Sequence, residues 1–252
     1  MSVRSIVDMA DNISGIIRGL EVLGMRVEVG DDFSVYRSYR SFCTDRSELS
    51  PVFDTTCSFI DESNGFWICG FDRDDELVHT QAARLLDLSG ISLGKHLDMH
   101  RHKYIVPDTT PDPDLTFFSG PEALKSVTGS VGYHGDFWLP ARGLGGPRSQ
   151  GATSFLSRLL FEILHQAWRP DFVFAFVPKQ LAAKGAQLRY GYSHCEPGKW
   201  IGPDQLVTNE EYLVSMSASD IQNVVASEVQ PLQLSGQVSS IGVSLTSIES
   251  KN

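Results

Sequence analysis

Between Gly135 and Tyr192 the chain runs GDFWLPARGLGGPRSQGATSFLSRLLFEILHQAWRPDFVFAFVPKQLAAKGAQLRYGY. The order of residue types fits a strand, a glycine-rich turn, a helix, a second strand and a second helix. Phe137, Trp138 and Leu139 suit a buried strand because aromatic side chains fill a pleated surface, and Pro140, with no N–H for a ladder, ends it. From Gly143 to Gly151, four glycines and Pro147 alternate with Arg142, Arg148, Ser149 and Gln150, a composition that permits positive φ and close backbone approach to an anion. Phe155, Leu156, Leu159, Leu160, Ile163, Leu164 and Ala167 then recur at three- and four-residue spacings, so one side of a helix is buried until Pro170 stops it.

The opening turn of such a helix attracts negative charge. Its first N–H groups have no carbonyl partner within the helix, and the aligned peptide dipoles add partial positive charge there. Arg148 is placed to add a bidentate contact to a phosphate.

The run Arg148, Ser149, Gln150, Gly151, Ala152, Thr153 resembles the Arg/Gln-x-x-Gly-x-Gly/Ala signature with which the GCN5-related N-acetyltransferases cradle the pyrophosphate of acetyl-CoA. FVFAFVP resembles that family's fifth strand, and KQLAAKGAQLRYGY the helix after it, ending in a Gly-aromatic pair at Gly191 and Tyr192. Thr153 departs from the signature, and Gln187 stands where many members place the tyrosine that protonates the departing thiolate. The resemblance implies an α+β, three-layer fold: a mixed, mostly antiparallel central sheet flanked by helices. It divides the chain into an N-terminal helix over 1–24, an acyltransferase domain over 25–226 with an insertion at about 89–130, and a flexible tail over 227–252.

The resemblance also implies an acyl-CoA-dependent N-acyltransferase that uses acetyl-CoA or another acyl-CoA as co-substrate and a small-molecule amine as acceptor, by direct attack. In the family, strands four and five splay into a slot where a strand-four N–H binds the thioester carbonyl. Leu139 and Arg148, Ser149, Gln150, Gly151, Ala152 and Thr153 are then the cofactor-binding positions. His134 and Asp136 lie two apart, so on a regular strand they face one side and are the general-base candidates. Tyr190 is the candidate acid. A homodimer is compatible with this reading.

Composition bears on the alternatives. In a chain of 252 residues with 41% hydrophobic and 21% charged residues, one sizeable core is expected. The net charge of -10 argues against binding nucleic acid by phosphate neutralisation and suits an amine. Cys43, Cys57, Cys69 and Cys195 lack CxxC spacing, so reduced thiols are expected in place of a disulfide or zinc framework. No signal-peptide pattern or membrane-length apolar run is present, which points to the cytoplasm. His96 and His100 share a helical face and His102 follows, but no further ligand completes a metal site. The competing readings are a non-catalytic CoA-binding or interaction protein with the same fold, and a hydrolase built on Cys195 or the histidines.

Elsewhere, residues 4–23 read as an amphipathic helix capped by Gly24, 25–29 as a strand and 33–42 as a helix whose Tyr36 and Tyr39 pack inward. The runs from Cys57 and to Leu88 read as a hairpin turning at Asp72 to Asp75. A short helix is expected to start at Pro121, a last strand to cover 212–216, and a final helix to follow Ser217 or Ser219.

Overall fold

The computed structural model describes residues 3–43, 46–105, 112–140 and 146–227. The proposed flexible tail, from residue 228 on, and Arg142, Gly143 and Gly145 of the glycine-rich turn lie outside them. Among the described residues eight strands form one sheet, β1 (Arg26–Gly30), β2 (Gly65–Phe71), β3 (Leu77–Leu88), β4 (Phe117–Ser119), β5 (Gly129–Trp138), β6 (Phe172–Pro178), β7 (His194–Ile201) and β8 (Val207–Ser217), in the order β1-β2-β3-β5-β6-β8-β7-β4. Each neighbouring pair is antiparallel except β5 and β6. Helices cover both faces, so the mixed, mostly antiparallel, three-layer arrangement expected from the sequence is present.

On one face, α1 (Val3–Val22), α5 (Ala152–Ala167) and α8 (Ala218–Ala226) bury Ile16, Leu20, Leu156, Leu159, Leu160 and Ile221 against the sheet. Gly19 lets α1 and α5 approach closely, since a Cβ there would lie 2.5 Å from the Phe155 ring. The other face is aromatic: Phe33 and Tyr36 of α2 (Phe33–Ser41) pack with Phe53, Trp67, Tyr104, Tyr133, Phe174 and Trp200. Asp32 caps α2 by accepting from the Ser34 N–H, and Ser217 and Asp220 form a capping box at α8, which satisfies N–H groups that the helix itself cannot.

Several boundaries differ from the sequence reading. The hairpin begins at Gly65, because residues from Cys57 to Asn64 are occupied by turns in which Asp54, Asp61 and Asn64 side chains bond nearby N–H groups. The helix expected at Pro121 is α4 (Ala123–Ser126). The segment 89–130 carries α3 (Leu93–His100) and then rejoins the sheet as β4, bonded to β7 through Phe117↔Ile201. The helix expected over 179–192 is two short ones, α6 (Lys179–Ala182) and α7 (Ala186–Tyr190), separated at Gly185 with φ 72°. Among the described residues no helix is long and apolar enough to cross a membrane.

Candidate active site

The parallel strands β5 and β6 are bonded only at Val131↔Phe172, Gly132↔Val173 and Tyr133↔Phe174. Beyond Tyr133 they part, although β5 continues to Trp138 along β3 and β6 to Pro178 along β8. A cavity of 260 Å³ lies at the opening, lined by His134, Gly135, Asp136 and Phe137 from one strand and Ala175, Phe176, Val177 and Pro178 from the other. Tyr104, Tyr133, Tyr190, Glu48 and Glu211 complete much of its wall. Free backbone edges and aromatic surfaces therefore meet where the sheet opens.

The two base candidates do not face the same way. Opposite β3 the register steps from Thr80↔Trp138 to Ala82↔Gly135, and Asp136 has φ 53°. This bulge carries an extra residue and flips the alternation that a regular strand imposes. His134 consequently points to the α5 face and Asp136 to the α2 face.

Asp136 is encased. Its carboxylate accepts from Arg40 Nε at 2.7 Å, Arg46 Nη2 at 2.6 Å and the Tyr36 hydroxyl at 2.5 Å. Arg46 also donates to Thr80 Oγ1, and Arg40 to the Ser47 carbonyl. With its oxygens committed to two cations, Asp136 is a counter-charge rather than a group open to a substrate proton.

His134 is enclosed as well. Gln81 Nε2 donates to the Leu156 carbonyl at 2.8 Å, which leaves Gln81 Oε1 to accept from His134 Nε2 at 3.1 Å. His134 Nδ1 is thereby the acceptor for the Tyr192 hydroxyl at 3.0 Å, a tautomer fixed by the network around it. Burial pushes its pKa down to about 3, so the imidazole is neutral and a weak base at neutral pH.

Tyr190, at the end of α7, packs its ring 4.7 Å from Phe137 and borders the cavity. Burial raises its pKa, and the nearby charges of Arg148 and Arg189 work in the opposite direction. Its hydroxyl thus remains protonated over the neutral range. Gln187, one turn earlier, has a buried side-chain oxygen with no partner among the described residues.

The signature loop is tightly wound at the start of α5. Gly151 is the N-cap, with φ 90°, where a residue bearing a Cβ is strained. The Ser149 N–H bonds the Gly146 carbonyl, and the Gln150 and Ala152 N–H groups both bond the Pro147 carbonyl. Donors expected to face an anion are turned onto the loop's own oxygens. Arg148 and Gln150 side chains are exposed, whereas Ala152 and Thr153 are buried. Leu139 lies in the core, and its carbonyl accepts from Arg148 Nη1 at 3.5 Å.

The features behind the hydrolase reading are dispersed. Cys195 is half-buried on β7 with its thiol raised by burial, and the adjacent His194 lies 3.7 Å from Asp220. His96 Nε2 is bonded to the Tyr104 hydroxyl at 2.7 Å, and its ring centroid lies 4.8 Å from that of His100, the planes tilted by 51°. Among the described residues no group of three His, Cys, Asp or Glu side chains is placed to hold a metal ion.

Glu211 is a cavity carboxylate absent from the candidates drawn from the sequence. It sits on β8 opposite Pro178 and Gly198, and the Trp200 indole N–H donates to its Oε2 at 2.8 Å. Burial raises its pKa above the ordinary carboxylate range.

No family model matches the sequence, and no curated protein matches it. Among solved structures, the chain is similar to a ribosomal-protein-S5-alanine acetyltransferase from Vibrio fischeri, with 10% identity, 78% of this chain and 94% of the other covered, and a TM-score of 0.42. A variant of the spermidine N-acetyltransferase SpeG from Vibrio cholerae aligns at 10% identity over 79% of this chain and 97% of the other, with a TM-score of 0.41. The aminoglycoside acetyltransferase AAC(6')-Ib, in complex with coenzyme A and kanamycin, aligns at 12% identity over 79% and 98%, with a TM-score of 0.39. All three are acetyltransferases.

Proposed function

We propose that the chain is an acyl-CoA-dependent N-acyltransferase, with acetyl-CoA as the preferred donor and a small-molecule amine as acceptor. The observation that carries this reading is the separation of β5 from β6 beyond Tyr133 and Phe174, with a cavity lined by both free strand ends and bordered by Tyr190. An extended thioester arm suits such an opening, because unpaired N–H and C=O groups on the strand edges can bond its amides. The acyl carbonyl then lies against the β5 backbone near the bulge, where a backbone donor stabilises the oxyanion that forms on attack.

In this reading the Arg148 to Thr153 loop holds the pyrophosphate. Its position at the head of the sixteen-residue helix α5 supports that role. The anion must compete with the Gly146 and Pro147 carbonyls for the N–H groups they occupy, so binding re-forms the loop. Tyr190 gives its proton to the departing thiolate. His134 and Asp136, proposed from their spacing as bases, serve instead as a neutral structural link and as the counter-ion of two buried arginines.

The test is thiol release from acetyl-CoA in the presence of a panel of primary amines. Tyr190→Phe is expected to lower kcat by roughly a hundred-fold with little change in acetyl-CoA affinity. Equal kcat in the two proteins would remove Tyr190 from the chemistry, and absence of amine-dependent release in the wild type would refute the enzymatic reading. The Gln187 side-chain oxygen, buried without a partner among the described residues and standing in the place of the family tyrosine, favours a second reading, in which the chain binds CoA without turnover. Acetyl-CoA binding without thiol release is its signature.

A further inference from the structure

Glu211 and Asp136 both border the cavity, yet their surroundings are opposite. Asp136 has two guanidinium groups and a phenol on its carboxylate. Glu211 has no cationic partner among the described residues, and its sole bond there is from the neutral Trp200 indole to Oε2. An anion withdrawn from solvent without a counter-charge is unfavourable unless something positive completes the site.

The placement of this carboxylate is built by packing. Gly198, across from Glu211 on β7, leaves room that the Phe118 ring fills, since a Cβ there would meet Phe118 Cζ at 2.3 Å. Trp200 is held between Phe118 and Phe176, with ring centroids 5.0 and 5.6 Å away. The neighbouring Glu210 points away and pairs with Lys179 at 2.8 Å. One carboxylate of the Glu-Glu doublet is thus a surface ion-pair member, and the other is directed toward the cavity with aromatic rings around it.

We propose that Glu211 receives the ammonium group of the acceptor amine and takes its proton, so that the acceptor is a primary amine carried on an apolar or aromatic body. The aromatic walls formed by Tyr104, Tyr133, Phe137, Phe176 and Tyr190 fit such a body, and the exposed Glu48 adds negative charge to the same lining. This proposal rests on the acyltransferase reading. The ammonium gives one proton to the Glu211 carboxylate, and the freed lone pair forms the new C–N bond at the thioester carbon. The C–S bond then breaks, Tyr190 gives its proton to the thiolate and takes the second nitrogen proton in its place, and Glu211 releases its proton to solvent. One proton is released net for each amide formed.

The titratable groups on the cavity wall with Glu211 are Tyr133 and Tyr104 on the aromatic side, with Glu48, Tyr190, His134 and Asp136 on the remainder, Asp136 being paired with Arg40 and Arg46. Both Tyr104 and Tyr133 are raised by burial and stay neutral, and His134 is neutral across the working range. Glu211 is therefore the group whose titration sets an acidic limb, its raised pKa carrying that limb above the usual carboxylate range.

Glu211→Gln keeps the shape and the indole bond while removing the charge. Phenethylamine, an ammonium on an aromatic body, is the probe, titrated into the acetyl-CoA-loaded protein and then followed to product in a single turnover. The variant is expected to bind acetyl-CoA as the wild type does, to bind phenethylamine at least about ten-fold more weakly, and to transfer about a hundred-fold more slowly without an acidic limb. Equal amine binding and transfer in the two proteins, or no phenethylamine binding by a wild type that binds acetyl-CoA, would overturn the assignment while leaving the donor site standing. Failure of the wild type to bind acetyl-CoA would remove the acyltransferase reading and this proposal with it.

Discussion

Asp136 shows how a single residue links distant parts of the chain. Its carboxylate joins Tyr36, Arg40 and Arg46, some ninety or more positions earlier, and all four side chains are buried or nearly so. Exchanging it for the isosteric amide leaves two guanidinium groups without their counter-charge. Asp136→Asn is expected to lower unfolding free energy by about 3–5 kcal/mol, read from urea unfolding; a loss below about 1 kcal/mol would show that the arginines are solvated by other means. Spacing alone revealed none of this, because sequence separation hides the contact and a bulge cancels the two-residue rule that paired Asp136 with His134. Glu211 was hidden differently. The strand expected from the sequence starts at Tyr212, whereas β8 begins at Val207 and so places Glu211 on the face of Leu213, which packs with the aromatic cluster.

At the scale of elements, periodicity and punctuation carried most of the information. The apolar repeat of α5, the capping serine of α8 and the acidic turn between β2 and β3 are local signals, and each element is where those signals place it. The parts that were not legible are held by partners elsewhere: β4 is a three-residue strand that exists by pairing with β7, and α6 breaks from α7 because Gly185 adopts φ 72°. The loop before α5 combines both kinds of information. Its glycines announced the turn, yet the direction of its N–H groups depends on the Gly146 and Pro147 carbonyls. Gly151→Asp adds a Cβ at φ 90° and a negative charge at the helix start. Acetyl-CoA affinity is expected to fall roughly a hundred-fold, the scale of losing charge-assisted bonds to a phosphate, with the far-ultraviolet spectrum unchanged.

For the molecule as a whole, the polar groups within the two cores make stability depend on pH. His79 and His134 are both pushed down to about 3 by burial, against an unfolded value near ~6.5. Groups with depressed folded pKa contribute fully above the unfolded value and lose that contribution as pH falls toward the folded one. Glu211 has the opposite sign: its raised value favours the folded state at low pH, and this is lost as pH rises through it. His96, lowered to about 4 by burial, acts with the two imidazoles, and Glu162, raised by burial, acts with Glu211. Stability is therefore expected to fall between pH 6.5 and pH 4 by up to about 1.4 kcal/mol per pH unit for each histidine. Urea midpoints that stay flat across that range would contradict the buried, neutral assignment.

In the proposed function, parted strands and a glycine-rich helix start together hold an acyl-CoA. Calorimetric titration with acetyl-CoA and with free CoA, run on the wild type and on Gly151→Asp, tests it most directly. Saturable binding near one per chain that is lost in a folded Gly151→Asp is the predicted result. Absence of binding to either ligand, or equal affinity in the two proteins, would contradict the placement of the donor in this site.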